Sequence, residues 1–222
     1  MTDIVTVTLN PAVDVATSVE RVLDTRKLRC SAARRDPGGG GVNVARVVQR
    51  LGGDCVAVYL AGGPLGHTLR QLLEAEFVAS ACIEIAEETR ENFSVRETST
   101  GREFRFVLPG PTVTQPEWQS CIDHLDALHA PPRYLVMSGS LPPGVAIDVY
   151  AQLTRSAQLH GTRVVLDTAG PALAAALDAG VYLVKPSLNE LPGLSGRALV
   201  SEDEWHDAAQ GLVQHPVNRL NK

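Results

Sequence analysis

The chain has 222 residues, enough for one substantial buried core, and its 44% hydrophobic and 20% charged residues are the balance of a globular protein. A net charge of −5, with no basic run longer than the pair Arg34–Arg35, speaks against a nucleic-acid partner, and no apolar stretch is long enough to cross a membrane. The four cysteines, Cys30, Cys55, Cys82 and Cys121, lie far apart with no CxxC and no His at ligand spacing, so they read as free thiols rather than a metal site or two disulfides. The N-terminus lacks the basic and apolar regions of a signal peptide, and a cytoplasmic location is expected.

In chain order, "DIVTVTL" (3–9) is β-branched and apolar and reads as a buried strand, with Asn10-Pro11 opening a loop that carries Asp14. "LRCSAARRD" (28–36) fits a strand of a small second sheet. "VNVARVVQRLGG" places Val44, Val47, Val48 and Leu51 on one helical face, with Gly52-Gly53 as its stop. "CVAVYLAGG" (55–63) predicts a second buried strand, "LGHTLRQLLEAE" (65–76) a helix, and Ala81–Ile85 a short strand. "NFSVRETSTGREFRFVLPG" (92–110) alternates apolar and polar residues about "TSTG", as an antiparallel hairpin with one wet face does.

A helix from about Pro116 to Leu128, a strand at 134–139, a helix at 145–160 and a strand at 162–168 follow. "PALAAALDAG" then predicts a short helix, and "VYLVKPS" (181–187) a strand. Ser201 with Glu204 forms a capping box for a last helix through about Val213, before His215-Pro216. Buried strands alternating with amphipathic helices specify an α/β domain with a mostly parallel sheet, interrupted by lid-like antiparallel strands.

In an open parallel sheet, ligands sit beyond the carboxyl ends of the strands. "NPAVD", "SGSLPPG", "DTAG" and "KPSLNE" all fall there. The tetraglycine Gly38, Gly39, Gly40 and Gly41 precedes a helix, so it serves either close backbone approach to an anion or hydroxyl-rich ligand, or a hinge between lid and core. It is neither a Walker A motif nor a Rossmann fingerprint. Asp14 is either an acceptor for sugar hydroxyls or a turn residue, and Asn43 either a ligand contact or a helix cap. Lys27, Arg29 and Arg90, with Asn92 beside the last, are lid cations that would clamp a phosphate together or sit solvated singly. Asp167 reads as a turn or cap residue.

The set "TLNPAVD", "KLRC", "PGGGGVNVARVVQRLGG", "AGGPLG", "TRENF", "GREFRFVLPG", "SGSLPPG" and "LVKP..NE", in that order, resembles the PfkB family of ribokinase-like sugar kinases, above all its bacterial 6-phosphofructokinase-type members. The resemblance runs from about residue 4 to about 190. It implies a single ribokinase-like domain over residues 1–222, with a three-layer α/β/α core and an antiparallel β-lid inserted at about 12–36 and 90–109. The lid would also form a homodimer contact. The implied activity is ATP-dependent, magnesium-assisted phosphorylation of fructose 6-phosphate. A kinase acting on tagatose 6-phosphate or fructose 1-phosphate is the second possibility, and a non-catalytic sugar-phosphate binder the third.

Carried over by motif, the resemblance makes Asp14 the sugar-recognising aspartate, and Gly38, Gly39, Gly40, Gly41 and Asn43 the glycine loop with its asparagine. Lys27, Arg29 and Arg90 face the existing phosphate, with Asn92 alongside, and Ser138 and Ser140 line the substrate loop. Lys185 and Ser187 fall on the nucleotide side, and Glu190 is the magnesium-organising glutamate. Two departures stand out. Ser187 replaces the asparagine of the family's Lys-Pro-Asn, and residues 1–222 contain no Gly-x-Gly-Asp, the family's catalytic-base motif. The expectation is a chain short of the C-terminal part of the family fold, with no catalytic base assigned and activity low or lost.

Overall fold

A computed structural model describes residues 2–213. His215-Pro216, where the sequence reading leaves the family pattern, lies outside the described residues.

The chain runs β1 (Ile4–Thr8), β2 (Ala12–Val19), β3 (Arg34–Gly38), α1 (Gly40–Arg50), β4 (Cys55–Ala61), α2 (Gly63–Ala75), β5 (Ser80–Glu84), β6 (Arg90–Glu97) and β7 (Glu103–Val107). It continues through α3 (Gln115–Asp126), β8 (Tyr134–Ser138), α4 (Val149–Leu159), β9 (Arg163–Asp167), α5 (Gly170–Asp178), β10 (Leu183–Val184), α6 (Leu191–Ser195) and α7 (Glu202–Val213). Six strands pair in the order β10-β9-β8-β1-β4-β5, and every pairing is parallel.

The period of two along the strands builds the layers. Val58 and Leu60 of β4 face a core shared with Trp118 and Ile122 of α3, Tyr150 and Leu153 of α4, and Leu173 of α5. Ala57, Tyr59 and Ala61 of the same strand face the opposite way, onto Val42 and Ala45 of α1 and Leu69 and Leu73 of α2. Helices on both faces of a parallel sheet make the three-layer α/β/α architecture.

The second sheet, in the order β3-β2-β6-β7, is the lid. Its outer pairs are antiparallel, but β2 and β6 run parallel, so it is a mixed sheet. Two segments differ from expectation here. Asp14 does not sit in a turn: the chain re-extends immediately after Pro11, and Val13 and Val15 alternate into the α1–α2 core, which places Asp14 on strand β2. The strand expected at 28–36 occupies Arg34–Gly38 instead, because register with β2 sets Asp36 opposite Asp14 and Gly38 opposite Ala12.

α1 starts at Gly40, two residues earlier than the apolar pattern suggests. The Asn43 amide already donates to Gly39 O (2.9 Å), and the next orphan donor, the Val42 amide, is met by Thr8 Oγ1 (2.9 Å) from β1. β10 shrinks to two residues because it pairs only with β9 and Pro186 offers no amide beyond it. α6 has no counterpart in the sequence reading, and α3 carries a capping box of Thr114 and Glu117. All four cysteines are free. Among the described residues, no helix is long and apolar enough to cross a membrane.

Candidate active site

The tetraglycine loop lies beyond the carboxyl ends of β1 and β8, and its closeness is first of all to the protein itself. A Cβ on Gly38 would fall 2.4 Å from Asp14 Oδ2, and one on Gly40 would fall 2.1 Å from Ser138 Oγ. A Cβ on Gly41 would meet Val7 O and Thr8 Oγ1 at 2.6 Å each. Gly39 adopts φ 120°, a conformation few side chains tolerate. The four glycines therefore let the N-terminus of α1 settle against β1 and β8, with Asp14 at one end and Ser138 at the other.

Around Gly38 a small group of hydrogen-bonded polar side chains forms. Asn92 Nδ2 donates to Asp14 Oδ1 (2.9 Å), while the Leu108 amide donates to Asn92 Oδ1 (3.3 Å), which fixes the way the Asn92 amide faces. One carboxylate oxygen of Asp14 is left to accept from elsewhere. Asn43 is not a cap: Gly39 holds the N-cap position, and Asn43 Oδ1 accepts from Arg46 Nη1 (3.1 Å).

Arg90 sits at the lid root. Its guanidinium donates to Asn10 O (3.0 Å), Pro11 O (3.4 Å) and Leu108 O (3.0 Å), joining the entry of β2 to the exit of β7. Burial pulls its pKa below the usual arginine range, against the opposing pull of nearby Asp14. Carbonyl dipoles take three of its donors without neutralising its charge, which leaves the position suited to an anion.

The cations of the expected clamp do not meet within one chain. Arg90 is in register with Ala12, while the Ser31 amide pairs with Ser18 O (2.8 Å), and Lys27 and Arg29 lie beyond it, exposed. At about 3.3 Å per residue, that separation along β2 is roughly 20 Å.

Around Gly40 a cleft of about 550 Å³ opens, lined by Ser138, Ser140, Asp167, Thr168, Glu190 and their neighbours. Ser138 Oγ donates to Asp167 Oδ2 (3.1 Å), and Lys185 Nζ lies 3.1 Å from Asp167 Oδ1. Asp167, read from sequence as a turn or cap residue, is thus the carboxylate that joins a substrate-loop serine to the lysine. Its position at the end of β9 is the signal that pointed there. Ser140 Oγ accepts from Asn10 Nδ2 (3.1 Å), so Asn10 ties the loop after β8 to the end of β1. The Ser187 amide donates to Glu190 Oε2 (2.6 Å), and this bond, with the nearby Lys185 charge, holds the Glu190 carboxyl below the usual carboxylate range.

No group of three or more His, Cys, Asp or Glu side chains converges on a metal position among the described residues. Asp167 and Glu190 both line the cleft and are oxygen donors of the kind magnesium takes, one or two carboxylates together with water and substrate phosphates.

Comparison with known proteins follows the same lines. The chain is 45% identical over 210 residues to the ATP-dependent 6-phosphofructokinase isozyme 2 of Mycobacterium tuberculosis, covering 95% of this chain and 62% of that protein. It is 41% identical over 214 residues to the Escherichia coli protein of the same name, covering 96% and 69%. The solved Escherichia coli phosphofructokinase-2 in complex with fructose-6-phosphate superimposes with a TM-score of 0.91 at 40% identity, over 96% of this chain and 71% of that one. A tagatose-6-phosphate kinase of Staphylococcus epidermidis is 34% identical over 217 residues, covering 96% of this chain and 68% of that protein. The chain thus spans about 62% of the length of the Mycobacterium relative. The pattern of the pfkB family carbohydrate kinases matches residues 1–220, and the chain belongs to that family.

Proposed function

We propose that this chain carries the sugar-phosphate side of an ATP-dependent 6-phosphofructokinase, with fructose 6-phosphate as the acceptor. The observation that carries the reading is the double contact of the tetraglycine loop, Gly38 on Asp14 and Gly40 on Ser138. It sets the Asp14 carboxylate beside a cleft into which a helix N-terminus opens, an arrangement that supports a ligand with hydroxyls and phosphate. In this reading Asp14 accepts from a sugar hydroxyl, Asn43 donates to a sugar oxygen, and Arg90 faces the phosphate the sugar already bears.

The nucleotide phosphates would lie in the cleft, near the amides of the α1 N-terminus and Lys185. Placing and charge stabilisation are most of what phosphoryl transfer asks of a protein. Asp167 and Glu190 would hold magnesium, whose chemistry there is neutralisation of phosphate charge. Lys27 and Arg29, too far along β2 to serve their own chain's site, would serve a second copy's site across a lid-to-lid homodimer. The partly exposed Phe93 and Phe106 of the lid strands suit such a contact. A cytoplasmic location belongs to the same reading, in keeping with four free thiols.

The test is thermal unfolding of the 222-residue chain with fructose 6-phosphate, tagatose 6-phosphate and fructose 1-phosphate in turn. A ligand that binds only the folded state stabilises it by about 2.7 kcal/mol at a hundredfold excess over its Kd. The largest upward shift is expected with fructose 6-phosphate. A larger shift with either other sugar moves the assignment to that sugar, and no shift with any of them overturns it. Because residues 1–222 hold no Gly-x-Gly-Asp, ATP-dependent turnover by this chain alone is expected to be very low, and turnover near that of a full-length relative would refute this.

A further inference from the structure

Arg46 lies on α1 one turn beyond Asn43, and only 14% of its side chain is exposed. Its Nε and Nη2 donate to Glu76 Oε2 (2.9 Å) and Oε1 (2.5 Å), a bidentate pair with the residue that caps α2. Its Nη1 donates both to Pro37 O (3.0 Å), at the end of β3, and to Asn43 Oδ1 (3.1 Å). Arg50 Nη2 adds a third bond to Glu76 (2.9 Å). One guanidinium thus gathers the C-cap of α2, the residue before the glycine loop, and an asparagine of the candidate site.

The bond to Asn43 decides that residue's chemistry. A guanidinium has only donors, so the atom of Asn43 that faces it must be the carbonyl oxygen. Nδ2 is then the group presented outward, and Asn43 is committed as a donor. Asp14, with one oxygen already taken by Asn92, is committed as an acceptor. A donor at Asn43 and an acceptor at Asp14, on two elements joined by the glycine loop, suit oxygens of a polyol, one accepting and one donating. An unrestrained amide would flip between two faces and lose half of that selectivity.

We propose that Arg46 is a positioning residue that acts through Asn43: held by Glu76, it locks the Asn43 amide so that its NH2 faces the sugar. The identity of the ligand rests on the proposed function above.

The test compares binding of fructose 6-phosphate to the wild-type chain, Arg46→Lys, Asn43→Ala and the double variant, with melting curves on each. Lysine keeps the charge beside Glu76 but not the fork that reaches Asn43, so Arg46→Lys is expected to fold and to bind about tenfold more weakly. In the Asn43→Ala background the same change is expected to alter affinity by less than about twofold, because the residue it acts through is gone. An equal loss in both backgrounds, or no loss in either, overturns the proposal. A second readout needs no ligand. The side-chain amide of Asn43, followed by ¹⁵N NMR, is expected to shift and exchange faster with water in Arg46→Lys, and an unchanged pair of resonances also overturns it. If the wild-type chain binds no fructose 6-phosphate, the proposed function fails while the NMR readout still decides the role of Arg46.

Discussion

In the six-stranded sheet, β1 is flanked on both sides, and its Val5 and Val7 are 3% and 0% exposed in the core shared with α3, α4 and α5. In the lid, the edge strand β7 leaves Phe106 54% and Val107 69% exposed, and among the described residues β2 reaches a core at its root, through Val13 and Val15. The core is thus held by close packing along its whole length. The lid is held at one end, by those two valines and by polar fasteners: Arg90 across the β2 and β7 hinges, and Arg46 on the end of β3. A sheet built this way can shift as a unit while the core beneath stays still, which would suit the sugar-phosphate ligand of the proposed function.

The sharpest way to break this comparison is to add the same methyl group to each region. Gly41→Ala drives a Cβ to 2.6 Å from Val7 O and Thr8 Oγ1, where the nearest yielding atoms belong to the buried strand β1. It is expected to cost about 3 kcal/mol. Gly101→Ala, in the β6–β7 turn, meets nothing within 4 Å and bears only the strain of φ +74°. Its cost is expected to be about 1 kcal/mol. Denaturant midpoints measure both. Equal losses would mean that packing against β1 is no tighter than the tip of the lid, and the contrast between the sheets would fall.

A subtler probe is the joint between lid and core. Hydrogen bonds from Arg46, and then from Arg50, hold the Glu76 carboxyl below its ordinary value of 4.5 in the folded chain. A carboxyl depressed by folding stabilises the protein fully above its unfolded pKa, and that stabilisation drains away as pH falls through the folded value. Glu76→Gln is therefore expected to lower stability by about 1 kcal/mol at neutral pH, the order of one partly exposed charged pair. The gap to wild type should narrow as pH falls below about 4.5. Glu117 and Glu190 are depressed as well, by other partners, but they are present in both proteins and cancel in the difference. A gap that stays constant from pH 7 to pH 3 would show that the pair does not stabilise the joint through charge.

How much of this was legible in the sequence follows the same division. The core strands and helices could be read because burial on two faces writes itself as apolar runs and as periods of two and 3.6. The lid hairpin was legible from its alternation. What could not be read was pairing at a distance. Nothing in "NPAVD" says that β2 runs parallel to β6 and antiparallel to β3, so the residues alone put Asp14 in a loop, as a hydroxyl acceptor or a turn residue, until its partners Asp36 and Asn92 are known. The motifs placed the glycine loop at the site, but not what its closeness serves. That answer lies in Ser138, 98 residues after Gly40, and in Thr8, 33 residues before Gly41. Arg46 was hidden for a similar reason: on the helical wheel it is one more polar residue, and only the fold brings Glu76 and Pro37 to it.

The smallest expected effect concerns Phe77, an aromatic residue that the core side exposes more than the lid exposes its own. Phe77 is 84% exposed and, among the described residues, is the non-glycine residue with positive φ, at 58°. It ends α2 in a left-handed turn, in which the Phe77 amide donates to Glu74 O and the Val78 amide to Leu73 O (3.0 Å each). Glycine is the usual occupant of such a position because it lacks the Cβ that clashes there. Phe77→Gly should relieve about 1–2 kcal/mol of strain and give back about 0.5–1 in unfolded-chain entropy, for a net gain of roughly 0.5–1 kcal/mol. Melting temperature should rise by a few degrees with fructose 6-phosphate affinity unchanged. Phe106→Ser on the lid should do the reverse, leaving the melting of the dilute monomer nearly unmoved while weakening self-association measured by sedimentation. If Phe77→Gly instead lowered stability or association, the strained ring would be buried in an assembly, and the core would join the lid-to-lid contact proposed above.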